Sequence, residues 1–386
     1  MSAAAIRRES KIDAVSVSAY EIPTTSPEAD GTITWDSTTI VIVNVTSSGH
    51  TGLGYTYASL ATAVLIDHML AGVVYGRDPL AIPQCWADMV KAVRNVGRPG
   101  IASMAISAVD TALWDLKARL MGVPILTLLG AVRESIPVYG SGGFTSYSLS
   151  QLRQQLHGWA TEGISAVKMK VGTHPEEDVA RVRAACEAIG PKVGLFVDAN
   201  GAYSRKQALR KAKEFADIGV TWFEEPVSSD DLDGLRLIRD SAPPGMEIAA
   251  GEYGYDAFYF RRMIEAGAVD IQQADATRCG GFTGFLQANG ICEGFGIPLS
   301  AHTSPSLHGH ICCHAGRARN VEYFHDHVVI EQRFFDGALR AEHGLLKPNL
   351  SSPGLGLELK RKDIERYRVY GNVDSSGAIA ANRAKA

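Results

Sequence analysis

Between residues 163 and 322 this 386-residue sequence repeats one arrangement: a short apolar run that closes on a polar residue. Lys170 closes the first run. Asp198, Glu224, Glu252, Asp275, His302 and Glu322 close the next six, at intervals of 20 to 28 residues. A strand, a helix and two loops occupy about that length. One polar residue per unit, always at the strand's C-terminal end, describes a parallel β/α barrel, whose chemistry sits on that rim. Chance can place one or two acids this way; seven positions in step constrain the chain far more tightly.

The first run, Gly163-Ile-Ser-Ala-Val-Lys168-Met-Lys170-Val-Gly172, reads as a buried strand ending in a glycine turn. Strand side chains alternate between faces, so Lys168 and Lys170 point the same way. Mutual repulsion and burial both disfavour the charged form, so a lysine pKa is expected to fall toward neutrality. An amine tuned in that way can act as a base.

At this length two domains are expected. Candidate strands at 14–22, 39–45 and 53–57 form a meander, and the polar stretch 23–35 reads as a long loop placed to act as a lid. Helical patterns fill 58–121, clearest at 103–120, where Gly122-Val-Pro124 stops the helix. Strands followed by helices suggest an α+β domain over residues 1–130. From 131 to 359 strands centre near 136, 167, 195, 222, 248, 270, 298 and 321. Seven helices lie between them: 149–162, 176–189, 204–218, 232–241, 256–266, 281–295 and 307–315. No eighth helix is expected after Glu322. Residues 364–370 could return as a strand to the first domain, within a segment 360–386 whose end, from Ser375, is expected to fray.

Composition excludes several classes. Hydrophobic residues make up 46% and charged residues 21%, as in ordinary globular proteins, and the net charge is −4. No basic block points to nucleic acid or a membrane surface. No apolar run reaches about 18 residues, and Met1-Ser-Ala-Ala-Ala-Ile-Arg-Arg lacks a signal-peptide core. Six scattered cysteines without a Cys-x-x-Cys pair suit free thiols in a reducing cytoplasm.

Asp198, Glu224 and Glu252 end three consecutive strands. Carboxylates with no Cys or His among them suit a hard divalent cation, Mg²⁺ above all. Glu225, next to Glu224, is expected on the opposite side in a structural role. Asp275 and His302 end neighbouring strands, where the carboxylate would fix the imidazole's tautomer and raise its basicity. His308 and His310 fall beyond the strand end. Glu322 is placed to protonate or hydrogen-bond an oxyanion. A lysine on one side, a histidine on the other and a metal between them suit removal of a proton α to a carboxylate. Reprotonation on the far face gives racemisation or epimerisation; protonation of a β-hydroxyl by His302 gives dehydration.

These residues resemble the enolase superfamily, and within it the mandelate racemase subgroup, over nearly the whole chain. Lys168-Met-Lys170 matches the family's Lys-x-Lys, whose second lysine is the base and whose first is its electrostatic neighbour. Val197-Asp-Ala-Asn200, Phe223-Glu-Glu-Pro226 and Gly251-Glu252 match the three metal-ligand motifs, with Asn200 near substrate. Asp275-Ala-Thr-Arg-Cys-Gly-Gly281 and Ser300-Ala-His302 match the Asp–His dyad, Val321-Glu322 the acid of the last strand, and Ser141 the position that contacts the substrate carboxylate. The resemblance implies an α/β fold: a modified TIM barrel, (β/α)7β, under an α+β N-terminal capping domain. It also implies one Mg²⁺ per subunit and a symmetric homo-oligomer. The muconate cycloisomerase branch carries a lysine where this chain has Asp275. Within the mandelate racemase branch the mostly polar 23–35 stretch favours dehydration of a sugar acid to a 2-keto-3-deoxy acid. A racemase or epimerase of a 2-hydroxy acid is the alternative, and a non-catalytic metal-binding barrel the remote one.

Overall fold

A computed structural model describes residues 10–371. The readings made for the first eight residues and for the tail from Ser375 lie outside that range. Strands β1 (Ala14–Ala29), β2 (Thr34–Ser47) and β3 (His50–Tyr57) form an antiparallel meander. The expected loop at 23–35 is instead the far end of the β1–β2 hairpin. Its pairing lapses in a bulge between Pro23 and Glu28, where Pro23 and Pro27 have no N–H to give. It resumes at Glu28 opposite Trp35 and Ala29 opposite Thr34. Asp30 closes the tip by accepting from the N–H groups of Thr32 and Ile33 at 2.6 and 2.8 Å. Prolines and threonines made this stretch look like a loop; a bulged hairpin accommodates both.

Helix Ile101–Met121 lies across β3 and ends on Gly122, in the left-handed conformation. Its approach is close because β3 offers glycines. A Cβ on Gly54 would sit 2.1 Å from the Ala108 carbonyl oxygen, and one on Gly52 2.2 Å from that of Ala112.

Eight parallel strands then follow in order: β4 (Ile136–Gly142), β5 (Ala166–Lys170), β6 (Gly194–Asp198), β7 (Val220–Glu224), β8 (Glu247–Ala250), β9 (Ile271–Ala274), β10 (Leu299–Ala301) and β11 (Ala318–Phe324). β11 pairs with β4, Glu322 opposite Tyr139, and closes the barrel. Seven helices, from Leu149–Thr161 to Pro305–His314, join successive strands. Two start at capping boxes, Ser148 with Gln151 and Ser204 with Gln207. The barrel's floor is apolar: Tyr139, Phe196, Trp222, Ala249 and Ile271 pack inside it, with Phe196 and Trp222 stacked at 4.8 Å.

An unforeseen helix, His325–Phe334, follows β11. It faces the hairpin domain: Phe334 meets the Tyr20 ring edge-on at 5.3 Å, and the Tyr55 hydroxyl donates to Glu331 at 2.6 Å. The helix therefore couples barrel to cap, leaving seven helices between the barrel strands. The returning strand is shorter than expected. Only Arg368–Tyr370 pairs with β1, while Arg361–Ile364 is helical and Glu365–Tyr367 a 3-10 turn. Among the described residues no helix is long and apolar enough to cross a membrane.

Candidate active site

Strand periodicity builds the site. Phe196 and Trp222 face the barrel axis, so the residues two positions on, Asp198 and Glu224, face it too, one layer higher. Lys168 rises from the same floor, its ammonium 5.4 Å from the Tyr139 ring centre. Asp198, Glu224 and Glu252, all buried, each bring one carboxylate oxygen within 4.8 Å of the others'. Trp222 orients Glu224 by donating its indole N–H at 3.0 Å.

The two lysines stand against these acids. Lys168 Nζ lies 2.5 Å from Glu224, 2.8 Å from Glu322 and 3.3 Å from Asp198; Lys170 Nζ lies 2.5 Å from Asp198. Their pKa values are therefore raised, not lowered as expected. Burial is the largest single influence and pulls both down. The surrounding carboxylates, Glu224 and Glu322 for Lys168 and Asp198 for Lys170, together outweigh it. Lysine–lysine repulsion is visible in the sequence; the acids that reverse its effect come from other strands.

On the far side Asp275 Oδ2 accepts from His302 Nδ1 at 2.8 Å, and the Thr277 N–H and hydroxyl hold Oδ1 at 2.7 Å each. Burial raises the Asp275 pKa, but the bond and charge of His302 prevail and keep it low. His302 Nε2 is thus left toward the acids, 3.3 Å from Glu252 and 3.7 Å from Glu322. His308, set aside in the sequence, braces this dyad. Its Nε2 accepts from the Ala276 N–H at 2.9 Å and its Nδ1 donates to the Thr303 carbonyl at 2.7 Å, pinning the turns after β9 and β10. Only the neutral ring with its proton on Nδ1 satisfies both bonds.

Three residues have partners or a conformation that the sequence does not show. Glu322 stands among hydrogen-bond donors and cations. Against burial, Lys168 and His302 hold its pKa at about 2, and it accepts from Ser141 Oγ at 2.6 Å and the Thr303 N–H at 3.2 Å. Ser141 is fully buried, and its hydroxyl donates to Glu322. Glu225 does not continue the alternation of β7, because its backbone turns left-handed at φ 36°. Its buried carboxyl, with Oε1 unpartnered, feels the charges of Glu252, Asp198 and Glu224, and burial with those charges drives its pKa up.

The donor set fits a hard cation. Six buried carboxyls, those of Asp198, Glu224, Glu225, Glu252, Asp275 and Glu322, face only Lys168, Lys170 and Arg278 as permanent cations among the described residues. Glu252 Oε2 and Asn200 Oδ1 are buried without hydrogen-bond partners. Oxygen ligands with surplus negative charge suit Mg²⁺.

Residues 14–130 match the family model for the mandelate racemase / muconate lactonizing enzyme N-terminal domain, and residues 151–364 the enolase C-terminal domain-like model. The chain belongs to the enolase superfamily. It is an enzyme of the mandelate racemase subgroup. It is 35% identical to a 3,6-anhydro-alpha-L-galactonate cycloisomerase of Streptomyces coelicolor, over 75% of this chain and 82% of that one. It is 32% identical to an arabinonate dehydratase of Saccharolobus solfataricus, over 84% and 88%. A mandelate racemase/muconate lactonizing enzyme-like protein from Rubrobacter xylanophilus superposes with a TM-score of 0.91 at 53% identity, covering 93% of this chain and 99% of that one. L-talarate/galactarate dehydratase from Salmonella typhimurium, with Mg and L-lyxarohydroxamate bound, superposes at 0.86 and 28% identity, covering 96% of both chains.

In this enolase-superfamily member a cavity of about 350 Å³ lies between rim and cap. Lys170, Asn200, Glu252, His302 and Glu322 line its base. Asn200 is held at φ 46° with its N–H on Asp198 Oδ1 at 2.9 Å. Sequence reasoning missed Arg278, inside the quoted dyad motif, which lies 3.3 Å from Glu252 and 3.6 Å from Asp275. Asp30, Ile33 and Trp35, within the 23–35 stretch read as a lid, line the outer wall, which is completed by two residues that sequence reasoning missed, Thr38 and Asp326. No periodicity marks those residues, since they meet the barrel only through domain packing.

Proposed function

We propose that this enzyme is an Mg²⁺-dependent acid-sugar dehydratase. One observation carries the reading: Lys170 and His302 line the same cavity from opposite sides of the Asp198–Glu224–Glu252 cluster. Asp198, Glu224 and Glu252 would hold the cation. Bound there, it would neutralise the charge that builds on the substrate's carboxyl group and release Lys170 from its ion pair with Asp198. Lys170 takes the proton α to that carboxyl group, and Lys168, protonated, supports it with fixed positive charge. His302, held by Asp275, hands its proton to the departing β-hydroxyl from the other face. Ionised Glu322 keeps Lys168 and the rim in place, with Ser141 fixing its carboxylate, and Asn200 presents its amide to the substrate. The relatives named as sugar-acid enzymes support a small sugar acid as substrate.

The same pair of bases would also serve a racemase or epimerase, so the test must separate the two outcomes. Incubation of mono- and diacid sugars with enzyme and Mg²⁺ in D₂O is expected to give a 2-keto-3-deoxy acid. Exchange of the α-proton with recovery of an epimer and no keto acid would replace dehydration with racemisation. Absence of exchange with every acid would leave only a binding role. The assembly is expected to be a symmetric homo-oligomer, which light scattering checks directly.

A further inference from the structure

The cavity's charge is unevenly placed. Its lining cations, Lys170 and Arg278, both stand at the metal end and are already paired, with Asp198 and with Glu252 and Asp275. The opposite end is built from the cap strands and helix His325–Phe334, where Asp30, Thr38 and Asp326 meet Trp35 and Tyr57. No lysine or arginine among the described residues lines that end. Asp326 Oδ2 accepts from Trp35 Nε1 and Thr38 Oγ1, at 3.2 Å each, which fixes the carboxylate against the wall.

Behind Asp326 stands Glu28, fully buried, its carboxyl within 4.8 Å of the carboxyl of Asp326 and of the His325 ring. Two carboxyls that close, away from water, share one negative charge. Glu28 is fully buried and does not line the cavity; burial and the neighbouring Asp326 push its carboxyl pKa up to about 10, and it is Asp326 that faces the cavity.

We infer that the substrate is a monocarboxylic sugar acid, with Asp326 accepting from hydroxyl groups at the end remote from C1 and repelling a second carboxylate. This rests on the sugar-acid reading above but not on dehydration as such. A terminal CH₂OH offers the donors that Asp326 and the Thr38 hydroxyl can pair with. A terminal carboxylate would face Asp326 and Asp30 with no cation to answer it, at a cost a buried site cannot screen.

Three matched pairs test this with the Mg²⁺-loaded enzyme: gluconate and glucarate, galactonate and galactarate, mannonate and mannarate. Dissociation constants come from titration calorimetry, and products are scored separately as keto acid or as exchanged α-proton. In the pair whose stereochemistry fits, the monoacid is expected to bind at least tenfold more tightly. Asp326→Asn is expected to shrink that ratio about tenfold, and Glu28→Gln, which keeps a neutral partner behind Asp326, to preserve it. A diacid bound equally well or better overturns the inference, even if keto acid forms and dehydration stands. Monoacid preference with exchange but no keto acid upholds the inference and removes dehydration. Binding of no acid in any pair overturns both. Loss of folding in Asp326→Asn leaves the wild-type ratio to decide.

Discussion

At the scale of single residues, the site is a balance of buried charges. Lys170 is surrounded by acids that keep it protonated, so its use as a base depends on what neutralises Asp198. Replacing Lys170 by Ala, or His302 by Asn, is expected to lower kcat by about 10²–10⁴-fold, the usual worth of a positioned acid or base. Far-UV circular dichroism should be unchanged, since both side chains border a cavity rather than pack in the core. Near wild-type kcat in either variant would remove that residue from the chemistry. Glu224→Gln deletes a ligand charge while keeping its shape. Mg²⁺ affinity by calorimetry should fall by more than the roughly 10–100-fold that loss of an outer-shell partner costs; unchanged affinity would contradict the ligand assignment.

At the scale of elements, one joint holds the cap together and a second fixes it to the barrel. The first is the seat of helix Ile101–Met121 on β3, which depends on the absence of side chains at Gly52 and Gly54. Gly54→Ala drives a methyl group into the Ala108 carbonyl and should destabilise the fold by about 3 kcal/mol, seen as a lower urea midpoint. An unchanged midpoint would mean that the helix can shift freely. The second joint is Asp110 on that helix, which accepts from the Thr283 N–H at 3.0 Å and hydroxyl at 2.6 Å at the start of Gly281–Phe295. Burial pushes its pKa up to about 7, despite those bonds. A raised carboxyl pKa supports the fold fully below the unfolded value near 3.8 and progressively less as pH climbs through 7. Wild-type stability should therefore fall, relative to Asp110→Asn, between pH 4 and pH 8. Parallel urea midpoints across that range would show that Asp110 does not titrate there.

At the scale of the whole molecule, excess carboxylate at the rim couples metal binding to stability. Mg²⁺ at 100 times its dissociation constant should add about 2.7 kcal/mol, raising the thermal midpoint in wild type and much less in Glu224→Gln. A midpoint indifferent to Mg²⁺ and to chelator would mean that the cluster is empty at working concentrations. The sequence by itself determined the barrel, its eight strands and the rim residues, because a period of one polar residue per strand end survives in one dimension. It could not show the 23–35 hairpin, since Pro23 and Pro27 obscure pairing that a bulge permits, nor the helix His325–Phe334, whose apolar residues face the cap. It also misjudged the lysines, because pKa follows distance in space, and Asp198, Glu224 and Glu322 approach them only when separate strands close the ring. What the tertiary structure alone decided is the far wall of the cavity, where Asp30, Trp35 and Asp326 converge from segments almost 300 residues apart. Local patterning dictates which face a residue takes; only the docking of cap on barrel dictates which residues then meet across the substrate's path.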